Sequence, residues 1–450
     1  MTPDLAALHL RAVQELQRDR PEAAEPLLRA VLALAPADPG ALFNLAYVHR
    51  RAGRLEAALD CYAQVARLAP DMPGLVLSYA SAEAAAGRSR AAIARLRAAL
   101  RRTPGDADLC NQLGGTLLGE GDCRRALAWF RRALRQEPGL DQARLGEALA
   151  LLSLGRYRAG WAAYESRWDD PAFRQGEPER TAPLWQGEPL AGRTLLVHAE
   201  QGLGDTLQFL RYLALLHARG ARLVVEVQKP LLGLVRGNVG ALAAQVIATG
   251  APPPPHDWRC PLMSLPYRLG TTLATVPAAV PYLAAPAAAR RRWRAWMDQN
   301  GLAPGRGRRI GLACSGDPAH PEDALRSLPA ARLLAALPAG ARPVLVQPAP
   351  RPADADALAG AGVRQPELRD FRDTAALMEN LDLIVSIDSA PAHLAGALGR
   401  PVWILLPHAA DFRWLRERTD SPWYPTARLF RQPVPGDWAT PLAALAAALA

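Results

Sequence analysis

The chain is 450 residues long and half hydrophobic, too long for one ordinary domain and sufficient for two to four that each bury a core. Its formal net charge of +10 comes from 53 basic against 43 acidic residues, yet Lys229 is the only lysine, so the surplus is arginine and, with the abundant alanine, reads as compositional bias. No run of five basic residues and no aromatic-interleaved basic motif of a known nucleic-acid reader occurs, which argues against nucleic acid as a partner and leaves acidic ligands such as phosphates open.

From Met1 to Arg20 the charges of Asp4, Arg11, Glu15 and Asp19 interrupt the apolar residues, so the continuous apolar core of a signal peptide is missing. Cys61, Cys110, Cys123, Cys260 and Cys314 are far apart and form no Cys-x-x-Cys pair, as expected in a reducing compartment. The uncharged stretches are too short to span a bilayer or are broken by proline, as at Pro252 to Pro255. These features predict a cytoplasmic protein without an integral membrane segment, compatible with peripheral attachment to an inner membrane.

Self-comparison organises the first third. Pro36, Pro70, Pro104 and Pro138 recur every 34 residues, as do Gly53, Gly87, Gly121 and Gly155, and Ala24, Ala58, Ala92 and Ala126, with Gly160 at the next alanine position. That is the tetratricopeptide period: two helices, a glycine turn between them, and a proline that ends the second. Small residues at Ala46, Ala80, Gly114 and Ala148 are expected where paired helices approach, and Tyr62, Leu96, Phe130 and Tyr164 between pairs. The array is predicted over residues 1–170, with Trp161, Tyr164 and Trp168 packing onto the next part of the chain. Its groove suits an extended peptide or a protein partner, and a bracing or dimerising role fits the pattern equally.

After a loop rich in Pro, Gly and Glu (Asp169 to Gly192), short apolar segments alternate with helices. Strands are predicted at Thr194 to Ala199, Leu223 to Val227 and Gln245 to Thr249, with a crossover helix at Asp205 to Arg219. An Arg/Ala-rich helix, Ala287 to Asn300, precedes a second series with strands at Ile310 to Cys314, Pro343 to Gln347, Leu383 to Ile387 and Val402 to Leu406. The fold class is therefore α plus α/β: a helical solenoid, then two Rossmann-like lobes at 190–300 and 305–450 with a cleft between them.

The run Glu200-Gln201-Gly202-Leu203-Gly204-Asp205 after the first strand, and the run from Ser386 through Asp388-Ser389-Ala390-Pro391-Ala392-His393 to Pro401, resemble the heptosyltransferase family of GT-B glycosyltransferases. The likeness covers roughly residues 190–440, and fusion to repeats is similar to the architecture of protein O-GlcNAc transferases, without a close motif match. The resemblance implies an inverting, metal-independent transferase acting on a nucleotide diphosphate sugar, with no cofactor, the first lobe on the acceptor side and the second on the nucleotide-sugar side. It makes Asp205 the general base, with Glu200, Gln201, Gly202 and Gly204 in the cleft loop. It places Asp388 at the donor sugar, Ser389, Ala392 and His393 around it, and Arg326 where the family carries a phosphate-facing lysine.

The residues support these assignments to different degrees. Ser389 opens a helix whose first-turn N–H groups suit a diphosphate, and His393 lies four residues on, where a hydroxyl and an imidazole can converge on one anion. The plainer alternatives are a helix cap and a packed histidine, and Asp205 too can be only a cap. Asp317 and His320 share the loop of Arg326. Asp354-Ala355-Asp356 imitates a metal-binding motif but sits in an Ala-rich helical pattern, so no metal is expected there. Trp414, Trp423, Tyr424 and Trp438 are expected to pack between lobes rather than to hold sugar. A non-catalytic scaffold that binds a nucleotide sugar is the alternative function.

Overall fold

The computed structural model describes residues 3–175, 180–305, 307–320 and 322–450, so residues 176–179 of the expected linker lie outside the described residues. The chain forms two compact units, Met1–Ala150 and Leu151–Ala450.

In the first unit, helices pair as the period predicts: Pro3–Gln17 with Pro21–Leu34, Pro39–Arg51 with Leu55–Leu68, Leu75–Ala85 with Ser89–Arg102, and Ala107–Gly119 with Cys123–Gln136. The turn glycines Gly53, Gly87 and Gly121 have φ of 72°, 74° and 72°, a left-handed conformation that explains their recurrence. Asp19 holds the same turn position one repeat earlier with φ 56°, so the array starts before the glycine series does. Ala24, Ala58, Ala92 and Ala126 are fully buried, as are Tyr62 and Leu96 between pairs.

The second unit begins inside the last repeat. Helix Tyr157–Tyr164, the last of the repeat pattern, packs on the α/β part as expected and is counted within that unit. The physical reason is aromatic: Trp161 meets Phe209, Phe412 and Trp423 with ring centroids 5.8, 5.5 and 6.5 Å away, all edge-on. Tyr157 accepts a hydrogen bond from the Trp423 indole at 3.0 Å.

The second unit is built around two parallel sheets. The first has the order β3-β2-β1-β4, built from β1 (Thr194–His198), β2 (Arg222–Val227), β3 (Ala243–Ala248) and β4 (Trp258–Pro261). The second has the order β6-β5-β7-β8-β9, built from β5 (Arg309–Ala313), β6 (Arg342–Leu345), β7 (Leu383–Ile387), β8 (Val402–Leu406) and β9 (Ala427–Arg431). Near-continuous apolar runs such as Leu195–Val197 and Leu383–Val385 are buried on both faces, as parallel strands require. Strands β4 and β9 carry Arg259, Pro261, Arg428 and Arg431, which hides them from an apolar-run search. The predicted crossover helix is broken into Leu203–Phe209, a 3₁₀ turn at Leu210–Tyr212, and Leu213–Ala218. Trp438 joins the second-sheet core with Leu442 and Leu445 rather than an interlobe contact.

Trp161 is the largest apolar group tying helix Tyr157–Tyr164 to both lobes. Trp161→Ala is expected to destabilise the α/β unit by about 3–5 kcal/mol. Denaturant unfolding followed by near-ultraviolet dichroism checks this; an unchanged midpoint would show that the helix is only loosely attached.

Candidate functional site

In each sheet the chain turns back past its first strand, which creates a switch point between β1 and β4 and another between β5 and β7. Loops at such points leave the carboxyl ends of neighbouring strands in divergent directions and open room for a ligand. The residues after β1 include Asp205; those after β5, β7 and β8 include Arg326, Asp388 and Arg413.

Asp205 is not the N-cap of its helix. Gly202 is the cap, and Asp205, in the first turn, reaches back so that its Oδ2 accepts the Gly202 N–H at 2.8 Å. Its Oδ1 is bonded by Arg413, a residue that no sequence motif singles out. Arg413 also donates from Nε to Gln208 Oε1 at 2.7 Å and pairs through Nη1 with Asp411 at 2.8 Å. Burial pushes the Asp205 carboxyl above the usual range, and the Arg413 charge is the largest influence opposing it.

Asp388 ends β7, and burial, reinforced by the Asp411 charge, pushes its carboxyl up to about 7. Ser389 is the backbone N-cap of helix Ala390–Ala397, with Pro391 in the first turn, but its hydroxyl makes no cap bond and lies 3.4 Å from the Ile387 carbonyl. His393 does not converge with it. The imidazole stacks on Trp414 with centroids 5.4 Å apart, shares a 3.0 Å hydrogen bond through Nδ1 with the Tyr424 hydroxyl, and turns Nε2 toward Asp388 at 3.9 Å. Burial and the charges of Arg413, Arg211 and Arg326 hold it well below the usual histidine range, so it is neutral. Ala392, expected at the donor, is fully buried and its N–H is used by the Ser389 carbonyl at 2.9 Å. Arg326 donates from Nη1 to the Asp388 carbonyl at 3.0 Å, which pins its loop to the end of β7.

The cleft expected between the lobes is closed at this point. Helices Leu203–Phe209 and Ala390–Ala397 pack together, and a Cβ on Gly204 would come 2.8 Å from His393 Cδ2, so glycine is required for this approach. A cavity of about 380 Å³ lies elsewhere, on the first sheet, lined by Arg180, Leu196, Glu226, Pro252 and His256 among others.

The front of the 200–205 loop is anchored rather than open. Glu200 accepts from Arg167 Nε at 2.8 Å and Nη2 at 3.1 Å and from the Met263 N–H at 2.8 Å, and its side chain is fully buried. These bonds hold the start of the loop in place. Gln201 donates to the Tyr164 hydroxyl at 2.9 Å. The weaker candidates also resolve: Asp317 and His320 bond N–H groups of their own exposed loop, and Asp354 accepts the Ala330 N–H at 2.8 Å, a helix-starting bond. Among the described residues no group of three acidic, histidine or cysteine side chains is arranged to hold a metal.

A helical array with a 34-residue period, followed by two parallel-sheet lobes with polar residues near their switch points, defines a repeat protein with an α/β unit after it. Comparison sharpens the class. Residues 9–73, 79–141 and 111–171 match the family described as Tetratricopeptide repeat, and residues 368–406, which span β7, helix Ala390–Ala397 and β8, match Glycosyltransferase family 9 (heptosyltransferase). Protein FlbA of Caulobacter vibrioides is 28% identical over 345 residues, covering 69% of this chain and 55% of that protein, so the chain spans about half the length of the curated relative it matches. A family 9 glycosyl transferase structure from Veillonella parvula is similar over 55% of this chain and 88% of its own, at 12% identity and a TM-score of 0.42. A thermophilic TPR protein of Thermus thermophilus is similar over 37% of this chain and 92% of its own, at 25% identity and a TM-score of 0.34. The first third of the chain is thus a tetratricopeptide array, and the α/β unit after it is similar to glycosyltransferase family 9 over residues 368–406.

Removing one member of a buried ion pair leaves the other charge uncompensated, at a cost of about 3–5 kcal/mol. In Glu200→Gln the Arg167 guanidinium keeps Glu165 at 2.9 Å, so the thermal midpoint of the α/β unit is expected to fall by less than the loss of a whole pair implies, measured by calorimetry. A midpoint equal to that of the parent would mean that Glu200 does not hold the loop.

Proposed function

We propose that this protein is an inverting, metal-independent glycosyltransferase that moves a sugar from a nucleotide diphosphate sugar to a hydroxyl acceptor, with the repeats recruiting a protein partner or the acceptor. The observation that carries the reading is the meeting, at Gly204 and His393, of the first-lobe loop bearing Asp205 and the second-lobe helix that follows Asp388.

The start of helix Ala390–Ala397 offers the Ala390 N–H and the positive end of a helix dipole to a diphosphate, since Pro391 has no N–H and Ala392 gives its own to the Ser389 carbonyl, and Arg326 beside it supplies a fixed positive charge. Neutral His393 contributes a ring N–H and no charge. In the reaction the acceptor hydroxyl gives its proton to the Asp205 carboxylate while its oxygen bonds to the anomeric carbon. The bond from that carbon to the diphosphate breaks with inversion, and the nucleoside diphosphate leaves with the electron pair. The leaving charge falls to the helix and to arginine, so no step calls for a metal. The close packing at Gly204 means that substrate entry requires the two helices to part.

His393→Ala and Arg326→Ala are expected to weaken binding of the preferred donor, found by calorimetry across UDP-, GDP- and ADP-sugars. Asp205→Asn should keep donor affinity within about threefold while kcat, followed as released nucleotide, falls by roughly a hundredfold. Binding without release in the parent protein would point to the scaffold function. Near-normal turnover in Asp205→Asn would remove Asp205 as the base.

A further inference from the structure

Arg413 is a buried residue, 6% exposed, whose guanidinium faces carboxylates from different parts of the unit, as that of Arg167 does with Glu165 and Glu200. It reaches Asp205 after β1, Asp411 beside it in the loop after β8, and the Gln208 side chain one turn beyond Asp205. Backbone strain marks the same loop: Leu415 has φ 49° and Glu417 φ 53°, values that non-glycine residues adopt only when their surroundings impose them. Arg431 holds this turn, donating from Nη2 to the carbonyls of Trp414 at 3.1 Å and Leu415 at 2.7 Å.

We infer that Arg413 is a positioning residue for Asp205: its guanidinium, fixed by Asp411 and Gln208, orients the carboxylate and holds it as the anion that accepts the acceptor proton. The inference rests on the glycosyltransferase reading for its catalytic meaning, but the ion pair stands on the geometry alone. One carboxylate oxygen is set by the Gly202 N–H and the other by Arg413, so the carboxylate plane is fixed while each oxygen keeps a lone pair for a substrate proton. Without Arg413 the influences that raise the carboxyl lose their largest opponent. Burial raises the carboxyl, the neighbouring Asp411 raises it further, and the Gly202 N–H and His320 oppose them less than Arg413 does. From the facing helix His393 is neutral, and Asp388 before it carries no positive charge to replace the guanidinium.

Two readouts on the full chain test this. Carboxyl-¹³C aspartate labelling, with the Asp205 resonance assigned by its loss in Asp205→Asn, follows the titration of Asp205. Nucleotide release against pH follows its use. In Arg413→Gln the Asp205 titration should move up by about one to three units, and turnover at pH about 7 should fall at least tenfold and recover in part as pH rises. Arg413→Lys keeps the charge and loses the fork, so it should show a smaller shift, and it carries the test if the glutamine variant does not fold. An Asp205 titration unchanged in both variants, or an equal loss of rate at every pH, would overturn the inference. If the parent releases nucleotide from no donor, the transferase reading fails, while the labelled titration still decides whether Arg413 governs Asp205.

Discussion

A guanidinium removed from water must be surrounded by carboxylates and hydrogen-bond acceptors, because a buried unpaired charge costs several kcal/mol. Arg413 meets that requirement by drawing together Asp205, Asp411 and Gln208. Gln208 and Asp205 belong to a helix that follows β1, and Arg413 and Asp411 to a loop that follows β8, so satisfying one charge fixes the approach of the two sheets' carboxyl ends. Asp388 sits in the same field and is raised to about 7, since the arginines offset only part of its burial and of the Asp411 repulsion. Carboxylates with differing environments in one enclosed space are the arrangement that acid–base chemistry uses.

The packing around this cluster holds it still. Arg211 in the first lobe donates to the Trp423 carbonyl and, from Nη2 at 3.0 Å, to the Tyr282 hydroxyl, while Tyr282 donates to the Leu207 carbonyl at 2.9 Å. Trp161 fills the space between Phe209, Phe412 and Trp423. Arg167 fixes Glu200 and Tyr164 fixes Gln201, so the last repeat-matching helix and the turn after it hold the loop that ends at Asp205. This is why a segment that reads as repeat in sequence belongs to the α/β unit in space.

Much of this was legible from residue spacing, and the reasons for the exceptions are physical. The 34-residue recurrence of glycine and alanine reports turn geometry and close packing, both local, and it located every repeat whose turn carries glycine. Buried parallel strands announced themselves as apolar runs, except β4 and β9, whose arginines and proline break the run. Asp205 and Asp388 stood out because short motifs come directly after predicted strands. Arg413 did not, since it is one arginine in a chain where nearly every cation is arginine, and only its place in Asp411-Phe412-Arg413-Trp414, directly beyond β8, could have singled it out. The fate of Glu200 was not readable either: its partner Arg167 lies 33 residues away, and only the fold brings them together.

The proposed transfer needs a nucleotide diphosphate sugar at the meeting point of the two lobes. Amide hydrogen exchange on the full chain, with and without UDP-, GDP- and ADP-sugars, tests it most directly. The preferred donor should slow exchange in peptides covering residues 199–205, 386–393 and 410–416 together. Slowing confined to residues around the first-sheet cavity, such as Arg180, Glu226 and His256, or no slowing with any donor, would contradict it.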